Sequence, residues 1–404
     1  MNQPDQQPSS SPWPTAAIDE STPASGAWTP ADGDGDRCFL TIARDHPLVL
    51  EAGGSLRDVT IAYETWGRLD AAGRNAVLVC HALTGDSHAS GAQEPGHATS
   101  GWWAELIGPG LAIDTDRYFV VCVNVIGGCQ GSTGPASPNP RTGKPYGSRF
   151  PVVTARDMVR TQCRLADHLG VDRWLSVLGG SMGAMQALEW AVMFPDRVQS
   201  LVPIAVGARS SGWQVAYSRV GRQAIVLDPN WQDGEYYESG PGGGPHRGLA
   251  VARALAQITY RSDQEFESRF HRDLAESGDG MGLWDRFQVE SYLDHHGRKL
   301  AHRFDANSYI TLNKAMDLHD IGRDRGGVAA ALGRVRVPTL VVSVNSDTLY
   351  PPHQQVEIRD LLASQGTQTD YLTIDSPHGH DGFLIESGQL GPVVRDWLAR
   401  VEKV

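Results

Sequence analysis

A serine, an aspartate and a histidine, met in that order along the chain, are the residues whose types and contexts could do chemistry. Ser181 stands in Gly179-Gly180-Ser181-Met182-Gly183. A serine hydroxyl is a poor nucleophile near neutral pH, so a histidine must take its proton and a carboxylate must fix that histidine's tautomer. Asp347 follows the apolar run Thr339–Val344, and His380 lies further on in Gly379-His380-Asp381-Gly382. Two histidines compete for the role of base. His380 precedes the apolar Phe383-Leu384-Ile385, whereas His378 sits directly after Pro377 and reads as a surface or pocket-wall residue. The chemistry such a trio performs is acyl transfer through a covalent acyl-serine.

That chemistry also needs N–H donors aimed at the tetrahedral oxyanion, each worth ~10²–10³ in rate. One candidate is the amide of Met182, the residue after the nucleophile. The other belongs to the loop His81-Ala82-Leu83-Thr84-Gly85, where Leu83 is chosen and Thr84 is possible. His81 reads as a residue that shapes this loop.

Positioning these groups requires a scaffold, and its elements are legible. Apolar, β-branched runs recur at Asn75–Cys80, Tyr118–Val125, Trp174–Leu178, Leu201–Val206 and Thr339–Val344, with a further strand-like run at Tyr371–Ile374. Continuous apolar runs suit strands buried on both faces of a parallel sheet. Helical patterns at Thr154–Leu169 and Gly183–Phe194 separate them, the alternation of a doubly wound sheet. The GxSxG motif then falls between a strand and a helix, the nucleophile-elbow context, in the chain order Ser, Asp, His of the α/β-hydrolase fold. The expected architecture is a mostly parallel sheet flanked by helices, built from residues 37–206 and 327–404. Residues 207–326 show helical segments, a glycine-rich break at Ser239–Pro245 and no convincing strand, so they are expected to form an inserted helical lid. Residues 1–36, rich in Pro, Ser, Asp, Gly and Ala, are expected to be a flexible tail. Within them Asp32-Gly33-Asp34-Gly35-Asp36 lacks the glycine and glutamate a calcium loop requires, because Arg37 and Ala43 occupy those positions.

Composition excludes several classes. The 404 residues are 40% hydrophobic and 20% charged, a globular mixture, and the formal net charge of -12 argues against a nucleic-acid partner. Five cysteines (Cys38, Cys80, Cys122, Cys129, Cys163) without CxxC spacing indicate neither a disulfide framework nor a metal site. Neither a secretory signal nor a long apolar run is visible, so a cytoplasmic protein free of membranes is expected.

Several stretches resemble the homoserine O-acetyltransferase family: Tyr63–Gly67, His81–Gly85, Gly127–Pro135, Gly179–Trp190 and Gly379–Leu384. They are spread from about residue 60 to 385. The resemblance implies transfer of an acetyl group from acetyl-CoA to the hydroxyl of L-homoserine by a ping-pong route in methionine biosynthesis, with no cofactor besides the acyl donor. It implies Ser181, Asp347 and His380 as the catalytic trio, Arg222 as the grip on the acceptor's carboxylate, Asp381 as the partner of its ammonium, and a homodimer through the lid. His378 departs from the aromatic residue expected before Gly379. Four other readings stay open: succinyl-CoA as donor, serine as acceptor, a serine hydrolase or esterase in which water resolves the acyl-serine, and an inactive binding module on the same fold.

Overall fold

The structure, a computed structural model, describes residues 20–276 and 280–403. Eight strands form its main sheet: β1 (Cys38–Ile42), β2 (Val59–Trp66), β3 (Ala76–Cys80), β4 (Phe119–Val123), β5 (Ser176–Gly180), β6 (Leu201–Ile204), β7 (Thr339–Val344) and β8 (Thr369–Ile374). Their spatial order is β1-β2-β4-β3-β5-β6-β7-β8. β1 and β2 pair antiparallel, as do β2 and β4, and every later pairing is parallel. All residues of β3, β4, β5, β6 and β7 are buried. Such two-sided burial is what their unbroken apolar runs demand.

Helices cover both faces. On one side lie α1 (Ala155–Leu169), α2 (Met182–Met193) and the later α9 (Pro352–Ser364), whose apolar residues join the larger core. α1 begins at Thr154, whose side chain accepts from the Asp157 amide, and ends at Gly170 with φ 75°. On the other side the C-terminal helix α11 (Ser387–Val401) presses Leu390, Val394, Trp397 and Leu398 against a second cluster. α2 is buried on every side except at its C-terminal end.

Between β6 and β7 the chain builds α3 (Gly212–Val226), α4 (His246–Tyr260), α5 (Asp263–Phe270), α6 (Gln288–Arg303) and α7 (Ala306–Asp317), then the short α8 (Val328–Leu332), and adds no strand to the sheet. α3 packs on α4 and α7, and α4 on α6. These helices roof the C-terminal ends of the parallel strands, where catalytic groups of open α/β sheets collect. The short α10 (Gly382–Ile385) follows the histidine loop.

The expected flexible tail is corrected over its second half. Residues 20–36 lie against the helical segment: Gly242 N donates to Thr22 O at 2.7 Å, the Ser25 hydroxyl to Asp305 Oδ1 at 2.8 Å and Trp28 N to Cys129 O at 2.8 Å. The last of these reaches the loop after β4, and the half-buried Trp28 ring adds a contact with Phe39 at 5.1 Å between centres. Residues 1–19 of the expected tail fall outside the described residues.

Candidate active site

Ser181 sits at φ 57°, ψ −124° between the end of β5 and the start of α2. A non-glycine residue there carries backbone strain of about 1–3 kcal/mol, which persists only because the surroundings over-determine it. β5 and α2 are buried and close-packed, and Gly183 lets the turn close: a Cβ there would stand 2.0 Å from Cys80 O. The motif glycines are therefore steric requirements, and the strained turn lifts the serine to the head of the helix. Ser181 is 5% exposed.

Asp347 and His380 approach from two separate strand ends. Asp347 follows β7 and accepts the amides of Leu349 and Tyr350 on Oδ1, both at 2.8 Å, leaving Oδ2 for His380 Nδ1 at 2.6 Å. That bond fixes the tautomer with the proton on Nδ1, so Nε2 is the free base. Nε2 is buried and has no hydrogen-bond partner among the described residues. Burial opposes charge on His380, but the Asp347 carboxylate and its hydrogen bond outweigh it and hold the imidazole above its usual pKa, with Asp381 adding to the effect.

Ser181 and His380 line one cavity of about 170 Å³, together with Leu83, Thr84, Asp86, Trp102, Arg253, Tyr260, Arg303 and Asp381. Of the expected oxyanion donors, Leu83 lines the cavity, as does Thr84, and Met182 opens α2, where the first N–H groups lack intrahelical acceptors. Asp381, expected beside the acceptor, is also in the wall. Burial pushes its carboxyl above the ordinary value, with Arg261, Arg253 and His380 pulling the other way.

Arg222 is not brought to this cavity. Its guanidinium is bound to Asp317 at 2.6 Å and to Asn313 at 2.8 Å, two residues that line an adjoining cavity, so both arms of its fork are engaged within the protein. Arg253 of α4, in contrast, lines the cavity, forms no ion pair among the described residues and lies 5.2 Å from the Tyr260 ring centre. A signal for it exists in the sequence: Arg253 is the one charged residue in the apolar stretch Leu249–Ile258. Arg303 and Asp86 are further charged wall residues that sequence reasoning missed.

The loop that carries Leu83 and Asp86 is held from below by β2. Glu64 receives the Ser87 hydroxyl at 2.7 Å and His88 Nδ1 at 2.8 Å, and the His88 and His97 rings stack at 3.7 Å between centres. His88 Nε2 lies 3.1 Å from Ala92 O and His97 Nε2 accepts the Asp36 amide at 3.1 Å, so this buried cluster braces the loop through hydrogen bonds. His81, expected to shape the loop, does so through Nε2, which accepts the Val125 amide at 3.1 Å. Glu64 and His81 thus support the cavity from behind, while Ala82, Leu83, Thr84 and Gly85 of the His81 motif line it.

The sheet order, the strained serine turn and the buried Asp–His pair define an α/β hydrolase, and the alpha/beta hydrolase fold family matches residues 75–386. Relatives narrow this further. A homoserine O-acetyltransferase of Thermobifida fusca (strain YX) is 52% identical over 378 residues, 94% of this chain and 98% of that protein. The crystal structure of homoserine O-acetyltransferase from Bacillus anthracis superposes with a TM-score of 0.82 at 30% identity, covering 90% of this chain and 97% of that one. Esterase E22 superposes equally well, with a TM-score of 0.81 at 28% identity over 90% of this chain and 99% of its own. The chain belongs to the homoserine O-acetyltransferase family, a family of acyltransferases.

Proposed function

We propose that this protein transfers an acetyl group from acetyl-CoA to the side-chain hydroxyl of L-homoserine, through an acyl-enzyme on Ser181, as a step of methionine biosynthesis. The observation that carries the reading is a single cavity holding the serine, its histidine and charges of both signs, with Arg253 and Arg303 beside Asp381 and Asp86 in its wall. An amino-acid acceptor brings one carboxylate and one ammonium, and Arg253 and Asp381 match them.

His380 Nε2 removes the Ser181 proton as Oγ adds to the thioester carbonyl. The oxyanion is received by the amides of Leu83, or Thr84, and Met182. The C–S bond breaks, His380 returns its proton to the thiolate, and free CoA leaves. Homoserine then enters with its carboxylate on Arg253 and its ammonium on Asp381. His380 deprotonates the homoserine hydroxyl, which attacks the acyl-serine; Oγ leaves with the proton, and O-acetyl-L-homoserine is released. No metal or cofactor besides the acyl donor takes part, so dialysis against a chelator is expected to leave the rate unchanged. The test is product analysis with acetyl-CoA and succinyl-CoA crossed against homoserine and serine; a preference for any other pairing would overturn this assignment.

The likeness to esterase E22 favours one second reading, hydrolysis by the same trio. Hydrolysis needs neither Arg253 nor Asp381, and the 52% identical relative over 94% of the chain supports transfer. The protein is further proposed to act in the cytoplasm, with no nucleic-acid partner; among the described residues no helix is long and apolar enough to cross a membrane. It is proposed to form a homodimer through the lid, where Trp213 and Val220 of α3, Leu227 directly after it, and Val251 and Ile258 of α4 are exposed at seven-residue spacing.

A further inference from the structure

The loop that carries His380 is clamped by the corner between α4 and α5. Gly379 has φ 62°, and a Cβ there would lie 2.7 Å from the Arg261 carbonyl carbon, so backbone meets backbone. Ser262 donates its hydroxyl to Pro377 O and also caps α5. At this corner the Arg261 guanidinium lies between two carboxylates, with Nη2 3.3 Å from Asp381 Oδ2 and Nη1 3.2 Å from Glu265 Oε2. Glu265, 3% exposed, is approached in turn by Arg269 Nη1 and by His378 Nδ1, each at 3.1 Å. Positive and negative groups alternate from the cavity wall outward.

We propose that Arg261 is a positioning residue for acceptor binding: it aims the Asp381 carboxylate into the cavity, while Glu265, steadied by Arg269 and His378, limits how far Arg261 neutralises it. The inference rests on the reading that Asp381 receives the acceptor's ammonium. It also gives His378 a role, as one of the two groups that hold Glu265 in place.

The physical consequences differ for the two partners. Without Arg261, Asp381 is a half-buried carboxylate that has lost its largest counter-charge, with Arg253 and His380 as the remaining positive or titrating neighbours and Glu265 opposing it; it takes up a proton more readily. A neutral Asp381 holds an ammonium poorly, and raising the pH restores its charge. Without the Glu265 charge, Arg261 turns wholly to Asp381 and competes with the ammonium at every pH. Neither change touches Ser181 or the thioester.

Steady-state kinetics of wild type, Arg261→Gln, Arg261→Lys and Glu265→Gln, with the acylation burst of thiol release recorded separately, test the proposal. Arg261→Gln is expected to raise KM for homoserine about tenfold, with the burst rate changed no more than about twofold, and the KM defect shrinking as pH rises. Arg261→Lys is expected to recover most of the KM, and Glu265→Gln to raise it several-fold without relief at high pH. An unchanged KM in Arg261→Gln, or a parallel loss of burst rate and KM in both Arg261 variants, would overturn it. Should Arg261→Gln fail to fold, a wild-type KM in Glu265→Gln overturns it instead. Wild type that shows a burst but no homoserine-dependent turnover refutes the acceptor reading itself, and this inference with it.

Discussion

Ser181, His380 and Asp347 come from three separate strand ends, and each is held by something other than the next member of the trio. The elbow strains Ser181, two amides pin Asp347, and the rings of Tyr350, Tyr260 and Phe383 stand 5.2, 5.9 and 5.5 Å from His380. Replacing Ser181 with alanine is therefore expected to abolish the acylation burst while the fold survives, with turnover lost by roughly 10³-fold or more. Near-normal thiol release would contradict the assignment. The pH dependence follows from the raised pKa of His380. The base must be neutral to accept a proton, so kcat/KM is expected to climb with pH through a value above the usual histidine range. In Asp347→Asn that limb should move to lower pH as the rate falls, and a pH–rate profile checks both. The same shift has a stability sign: the His380–Asp347 pair contributes fully below the unfolded histidine pKa and is lost as pH rises through the folded one. The three reactive residues were legible because motif, order and flanking strands agree. The arginine of the cavity wall was not, because Arg222 and Arg253 both lie on lid helices, and only the fold reveals that Asp317, far along the chain, holds Arg222 while Arg253 lines the cavity.

At the scale of elements, the strands that could be read were those buried on both faces. Thr339–Val344 matches β7 residue for residue, and the runs at Asn75 and Leu201 differ from β3 and β6 by a residue or two at their ends. β1 escaped notice because it is an edge strand with only exposed and half-buried positions, and β2, though largely buried, because Thr60, Glu64 and Thr65 break its apolar run. Motif glycines belong to this scale as well. Gly183→Ala would drive a methyl into Cys80 O, and the turn can yield only by separating α2 from β3. Thermal melting and activity together check this: a large loss of both is expected, and an active, stable variant would show that the close approach is dispensable. Thr154→Ala removes the cap of α1 and is expected to lower stability by ~1 kcal/mol without changing kcat, since no residue of α1 lines the cavity.

The whole molecule places a helical roof over the strand ends, and two features of that roof matter to function. It contributes Arg253, Tyr260 and Arg303 to the cavity, so the reactive serine works under cover, where water competes poorly with a bound acceptor. It also exposes Trp213, Val220, Val251 and Ile258 on α3 and α4, a surface that suits a second copy. Light scattering is expected to report a dimer, and Val220→Asp combined with Ile258→Asp a monomer; a wild-type monomer would contradict the proposed assembly. Composition and charge correctly described a folded acidic globule, but they were silent about the docking of residues 20–36, which depends on backbone partners brought near only by the fold. The central claim is transfer to homoserine, and the most direct measurement is thiol release from acetyl-CoA followed with and without that acceptor. One equivalent released in a burst without homoserine, and continuous turnover yielding O-acetyl-L-homoserine with it, is the predicted result; equal continuous release in both would show that water is the acceptor and contradict the account.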